Sequence, residues 1–111
     1  MSFDQLCDLW ERNAPKYVEF AAVMASIALA ESSGNPKATN FNTNATEDRG
    51  LWQVNSGAWP QFNPPYDLFD PDQNAKAALE VFEQQGLTAW STWNNGAAAT
   101  ILVAQARSAA A

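Results

Sequence analysis

The sequence contains no histidine, and Cys7 is its one cysteine. Without an imidazole a catalytic thiol has no histidine to activate it, and there is no Cys/His set able to hold zinc or a redox metal. A lone cysteine also excludes an internal disulfide framework and fits cytosolic synthesis as well as export. Cys7 stands at helical spacing between Leu6 and Trp10, where packing is its simplest role. The acidic residues follow no EF-hand pattern, so chemistry without metal or cofactor is expected. Bases are scarce: 6 Lys and Arg face 12 Asp and Glu, for a net charge of −6 and a pI near 4.3. That balance argues against nucleic acid or an anionic membrane as the main partner. No long apolar run exists either. The stretch from Phe20 to Ala30 is too short to span a bilayer, and the N-terminus lacks the basic start and apolar core of an export signal.

What is present suffices for one domain covering residues 1–111, long enough to bury roughly 65% of its unfolded surface. Ser2 and Gln5 form a Ser-x-x-Gln capping box that opens a first amphipathic helix through Phe3, Leu6, Leu9 and Trp10, ending before Pro15. From Lys16 the chain turns apolar on nearly all sides through Ala21, Ala22, Val23, Met24, Ile27, Ala28 and Leu29. This predicts a central buried helix with Gly34 as its C′ residue and Glu31 on its last turn.

Residues 35–55 are rich in Asn and Thr, lack a helical period and predict a small β-hairpin or loop lobe. Pro60, Pro64, Pro65 and Pro71 punctuate a connecting segment. Asp70-Pro71-x-Gln73 then supplies an N-cap, an N1 proline and a capping-box partner for a helix to about Gln85. Its expected apolar face is Ala75, Ala78, Leu79 and Phe82, with Gly86 as terminator. A short helical turn from Ala89 to Trp93 and a last helix from Ala97 complete a mainly α architecture with no internal repeat. Among the aromatics, Phe20, Phe41, Phe62, Phe69 and Phe82 are assigned to the core.

Two carboxylates stand out. Glu31 closes an apolar helix, where desolvation and the negative end of the helix dipole both favour its protonated form. Asp48 lies in polar chain among Asn44 and Thr46, which favour the charged form. Glycosidic cleavage needs such a pair: an acid for the leaving oxygen and a second carboxylate for the oxocarbenium centre. Taken singly, each residue also reads as an ordinary helix-end or turn carboxylate.

The string around them narrows the choice. Glu31-Ser32, Ala38-Thr39-Asn40-Phe41-Asn42-Thr43, Asp48 and Gly50-Leu51-Trp52-Gln53-Val54-Asn55-Ser56 resemble, position for position, the active-site segment of c-type lysozymes. That family has Glu-Ser, Ala-Thr-Asn-x-Asn-Thr, an Asp at the same spacing and Gly-Ile-Leu-Gln-Ile-Asn-Ser. Ala89-Trp90-Ser91-Thr92-Trp93-Asn94 is similar to its Ala-Trp-x-x-Trp segment, whose first Trp packs on the catalytic glutamate. The resemblance implies a lysozyme-like fold, Glu31 as acid, Asp48 as nucleophile or stabiliser, and Trp90 as the wall that dries Glu31. This division of labour comes with the family and not from spacing.

The chain is also similar to soluble lytic transglycosylases, which carry Glu-Ser, Gly-Leu-x-Gln and a later Ala-Tyr-Asn-x-Gly motif. Thr92-Trp93-Asn94-Asn95-Gly96 approximates the last of these, with Trp93 in place of Tyr. It departs from secreted c-type lysozymes in lacking disulfides, in its acidity, and in having Ala58 at one of two adjacent sugar-binding tryptophans.

Trp59, Trp90 and Trp93 are candidate sugar contacts, because an indole stacks on a sugar ring while its N–H bonds a hydroxyl. Gln53 and Asn55 either bind substrate or bond their own turn. Asn40 and Asn42 are expected to hydrogen-bond Asp48, and Ser32 to support Glu31. The expected substrate is the glycan strand of peptidoglycan, cleaved by hydrolysis. The alternatives are a transglycosylase using Glu31 alone and an idle sugar-binding module. Absent export signal and disulfides, together with the acidity, suggest a bacterial or phage domain that acts on the cell wall as part of a larger tail-associated or endolysin-like protein.

Overall fold

The helix that is apolar on every side forms the centre of the molecule. In the computed structural model, which describes residues 1–57 and 66–110, helix α2 (Ala21–Ser32) lies between α1 (Phe3–Asn13) and α5 (Ala97–Ala110), while α3 (Pro71–Gln85) packs on α1. Met24, Ala25, Ile27 and Ala28 of α2 are fully buried against Leu6, Leu9 and Trp10 of α1 and Ala75, Ala77 and Ala78 of α3. A three-stranded antiparallel sheet stands to one side, in the order β1 (Thr39–Phe41), β2 (Glu47–Arg49), β3 (Val54–Asn55). The architecture is thus mainly α with a small β lobe. Among the described residues no helix is long and apolar enough to cross a membrane.

Local signals explain most element ends. Ser2 Oγ accepts from the Gln5 N–H while Gln5 Oε1 accepts from the Ser2 N–H, closing the expected capping box. The central helix starts later than its apolar run, because Pro15–Phe20 forms a 3-10 segment kinked at Tyr17. The Trp10 indole donates to the Tyr17 carbonyl at 2.9 Å, which takes that oxygen out of a helical ladder. At the other end two successive residues turn left-handed, Ser33 at φ 55° and Gly34 at φ 76°.

On α3, Asp70 caps the Gln73 N–H as expected. Gln73 does not return the bond to Asp70; its Oε1 accepts from the Asp67 N–H and ties down the preceding turn. The buried face is also rotated from expectation. Asn74, Ala75, Ala77, Ala78 and Val81 are buried, whereas Leu79 and Phe82 are partly so. Asn74 causes the rotation: its amide donates to the Arg49 and Leu68 carbonyls and accepts from the Trp52 N–H, all within 2.8–2.9 Å. Phe82 instead meets Trp10, Tyr17 and Phe20 through its ring.

Two other expectations meet different outcomes. Phe41 is not in the core but 79% exposed. Its cross-strand partner is Glu47, so it occupies the pleat face opposite Asp48. Phe62 lies outside the described residues. Cys7 is half-buried, and burial beside Glu11, Asp4 and Asp8 pushes its thiol up to about 11, which leaves it protonated and unreactive at neutral pH.

The Arg12 guanidinium grips Asp72 through two bonds of 2.9 and 3.1 Å, and Asn13 adds a third, joining α1 to α3. Hydrogen bonding from Arg12, then Asn13, holds Asp72 down to about 2 from an ordinary 3.8. A depressed carboxyl stabilises the fold above its ordinary value and loses that effect as pH falls through the folded one. Both side chains are exposed, so the net contribution is about 1 kcal/mol or less. Asp72→Asn is expected to lower the melting temperature by a few degrees, about 2–5 °C, at pH 7, and by progressively less between pH 4 and 2 in thermal unfolding scans.

Candidate active site

Glu31 and Asp48 reach one cleft from different parts of the fold. Its volume is about 230 Å³, and it is lined by Glu31 of α2, Asp48, Val54 and Asn55 of the sheet, Gln53 of the turn before β3, Val81 of α3, and Ala89, Trp90 and Ser91. Trp90 and Ser91 begin the short helix α4 (Ser91–Asn94).

On the helical side, burial is the largest influence on Glu31 and raises its carboxyl above the ordinary 4.5, with the Asp48 charge acting in the same direction. Opposing it, the Thr92 hydroxyl donates to Glu31 Oε2 at 2.7 Å, and the Thr92 backbone N–H adds a weaker contribution. Burial wins. Ser32 turns inward and donates to the Ala28 carbonyl of its own helix, so it supports the helix end and does not bond Glu31.

Asp48 sits on the middle strand, with Asn40 opposite it on β1 and Asn55 opposite it on β3. Directly paired residues share a face, so a row of amides flanks the carboxylate. Asn55 donates to Asp48 Oδ1 at 2.9 Å and Asn42 at 3.2 Å, and both amides also reach Thr46 Oγ1. Asn40 takes another partner, donating to Gln53 Oε1. Gln53, left-handed at φ 49°, donates to the Ala38 and Gly50 carbonyls. Gln53 therefore ties the lobe together while presenting a side to the cleft.

Trp90 is 5% exposed, and its indole N–H donates to the Trp52 carbonyl at 2.9 Å. It walls the cleft with its ring and has no N–H left for a sugar hydroxyl. Trp93 packs partly buried against the core and is not among the cleft-lining residues. Trp59, like Ala58, lies outside the described residues. Sequence reasoning missed Thr92, Val81 and the smaller lining residues Val54, Ala89 and Ser91. Val81 was detectable as the i+3 and i+7 continuation of Ala78 and Asn74, whereas Thr92 carried no signal beyond its place in the Trp-x-x-Trp stretch. Among the described residues no three His, Cys, Asp or Glu side chains converge as a metal site.

Comparison with known sequences gives this arrangement a family. Residues 12–93, well over half of the chain, match the sequence model of the lysozyme-like domain. The chain belongs to the lysozyme-like domain family. Its relatives include Lysozyme 2 of Lucilia sericata, 34% identical over 60% of this chain and 57% of that protein. Lysozyme C-1/C-2 of Axis axis is 30% identical over 59% and 61%, and Lysozyme C-2 of Capra hircus is 33% identical over the same shares. The lysozyme-like chain spans about three-fifths of the length of these curated relatives.

Proposed function

We propose that this lysozyme-like domain is a glycosidase that hydrolyses the β-1,4 bond between N-acetylmuramic acid and N-acetylglucosamine in peptidoglycan. The observation that carries this reading is a pair of unlike carboxyls facing one cleft. Glu31 is driven toward its protonated form by burial, and Asp48 is fixed by two amide donors. Glu31 gives its proton to the glycosidic oxygen. Asp48 attacks or stabilises the sugar cation, and Glu31 then takes a proton from the incoming water, with net retention. Both amide donors converge on Asp48 Oδ1, so Oδ2 is the oxygen left to meet the cation. Trp90 supplies an apolar wall, while Gln53 and Asn55 border the sugar. Trp59 and Trp93 stay as sugar contacts of this proposal on the resemblance alone.

A second reading, a lytic transglycosylase in which the muramic hydroxyl replaces water and Asp48 is structural, is favoured by Thr92-Trp93-Asn94-Asn95-Gly96. Mass spectrometry of muropeptides released from purified peptidoglycan separates the two, with Glu31→Gln as the blank. Reducing-end muramic products support hydrolysis, anhydro-muramic products support the second reading, and no release above the blank leaves an idle sugar-binding module. Asp48→Asn keeps an acceptor for both asparagines but loses the charge. It is expected to slow hydrolysis on the order of 10²-fold or more, and near-normal turnover would favour the transglycosylase.

The net charge of −6 supports delivery by a tethered domain or larger assembly, such as a phage tail or endolysin. A free acidic domain is repelled by the polyanionic wall once it comes within about one Debye length, ~8 Å at physiological salt.

A further inference from the structure

The hydroxyls on the helices divide into two kinds. Ser26 and Ser32 donate to a carbonyl four residues back in their own helix, and Thr100 to that of Gly96 just ahead of its helix, at 2.9–3.0 Å. That is the usual outlet for a helical hydroxyl. Thr92 instead crosses 61 positions of sequence to Glu31 Oε2, with the shortest contact of the group at 2.7 Å. We propose that Thr92 is a positioning residue for the acid: by holding Oε2 as an acceptor it assigns the transferable proton to Oε1 and keeps the carboxyl turned into the cleft. This rests on the glycosidase reading of the same site.

Both ends of the bond are anchored. Glu31 stands on the last turn of α2, and Thr92 lies in the first turn of α4, directly after Trp90, whose indole is fixed to the Trp52 carbonyl. A glutamate has three rotatable side-chain bonds, and an acid misplaced by about 1 Å loses much of its effect. A protonated carboxyl carries its hydrogen on one oxygen only. An oxygen that already accepts from a hydroxyl is the poorer place for it, so the bond selects between two otherwise equivalent atoms.

The bond also tunes protonation. A donor to the charged form favours that form, so Thr92 works against burial and keeps Glu31 from being protonated too tightly to release its proton. Asp48, facing from β2, is the charged group that acts on Glu31. Val81 of α3 and Ala89, Trp90 and Ser91 complete the lining without adding a titratable group.

The test is a carboxyl-carbon NMR titration of Glu31 in the intact domain, beside the pH profile of glycan release. Thr92→Val keeps the shape and removes the donor. It is expected to raise the Glu31 midpoint by about one pH unit, move the alkaline limb of the rate profile upward equally, and lower kcat several-fold with KM little changed. Thr92→Ser, which keeps the donor, is expected to bring the midpoint back, and Thr92→Ala serves should valine strain the helix start. An unmoved midpoint in a folded Thr92→Val or Thr92→Ala protein overturns the proposal, as does a moved midpoint with an unmoved rate profile. A wild-type domain that releases no glycan would overturn the glycosidase reading, while the titration still reads the Thr92–Glu31 coupling by itself.

Discussion

Glu31→Gln is expected to abolish detectable glycan release while making the protein more stable at neutral pH. General acid–base catalysis by one positioned group is worth about 10²–10⁴-fold, and Glu31 serves both proton transfers in the proposed reaction. The stability gain follows from the same environment. A carboxyl raised by folding stabilises the native state below its ordinary value, 4.5, and that stabilisation is lost as pH rises through the higher folded value. Above that folded value the wild type holds a charge in a place that disfavours it, whereas glutamine is neutral at every pH and still accepts from Thr92. The gain should be present at pH 7 and should vanish near pH 4, below the ordinary value, where the carboxyl is as neutral as the amide. Denaturant unfolding at the two pH values measures it, beside the muropeptide assay. A fully active variant would end the acid role for Glu31, and equal stability at both pH values would show that its surroundings are not dry enough to matter.

Gly50→Ala is expected to cost about 3–6 kcal/mol, a large share of the ~5–15 kcal/mol by which domains are folded. Gly50 stands at φ 77°, a left-handed conformation that opposes any Cβ by about 1–2 kcal/mol. A methyl group there would lie 2.1 Å from the Leu68 carbonyl oxygen and 2.4 Å from Asn74 Nδ2. Neither neighbour can retreat freely, because the Asn74 amide already holds Arg49, Leu68 and Trp52. Overpacking of about 1–3 kcal/mol and disturbance of buried hydrogen bonds therefore add to the backbone strain. Activity should fall with the fold, since Gly50 directly follows the strand that carries Asp48. A melting temperature within about 2 °C of wild type would mean that the lobe docks less tightly than these distances imply.

The parts legible in the sequence were those with local causes. Ser2 with Gln5, Asp70 with Pro71, and the apolar run through Met24 and Ile27 each specify an element from a handful of neighbours, and so does the Asn/Thr-rich lobe. Glu31 on a helix end and Asp48 in polar chain followed from the same signals. The destinations of the amides did not. Asn42 and Asn55, but not Asn40, bond Asp48, and that choice depends on β2 being the middle strand and on Gln53 turning left-handed to occupy Asn40. The indole of Trp90 is spent on a backbone carbonyl 38 positions away, a pairing no local pattern encodes. Phe41 reads as core by composition and stands in solvent, because strand register and not hydrophobicity chose its face.

The buried indoles of Trp90 and Trp52 form a relay whose consequence is mechanical. Trp90 donates to the Trp52 carbonyl, Trp52 donates to the Met24 carbonyl inside α2, and the Trp52 backbone N–H is held by Asn74 of α3. The cleft wall is thereby riveted to two core helices. It cannot hinge outward to admit a bulkier glycan without releasing bonds that otherwise break only when the whole domain unfolds, so the indole protons of Trp52 and Trp90 should exchange with solvent at the rate of global opening.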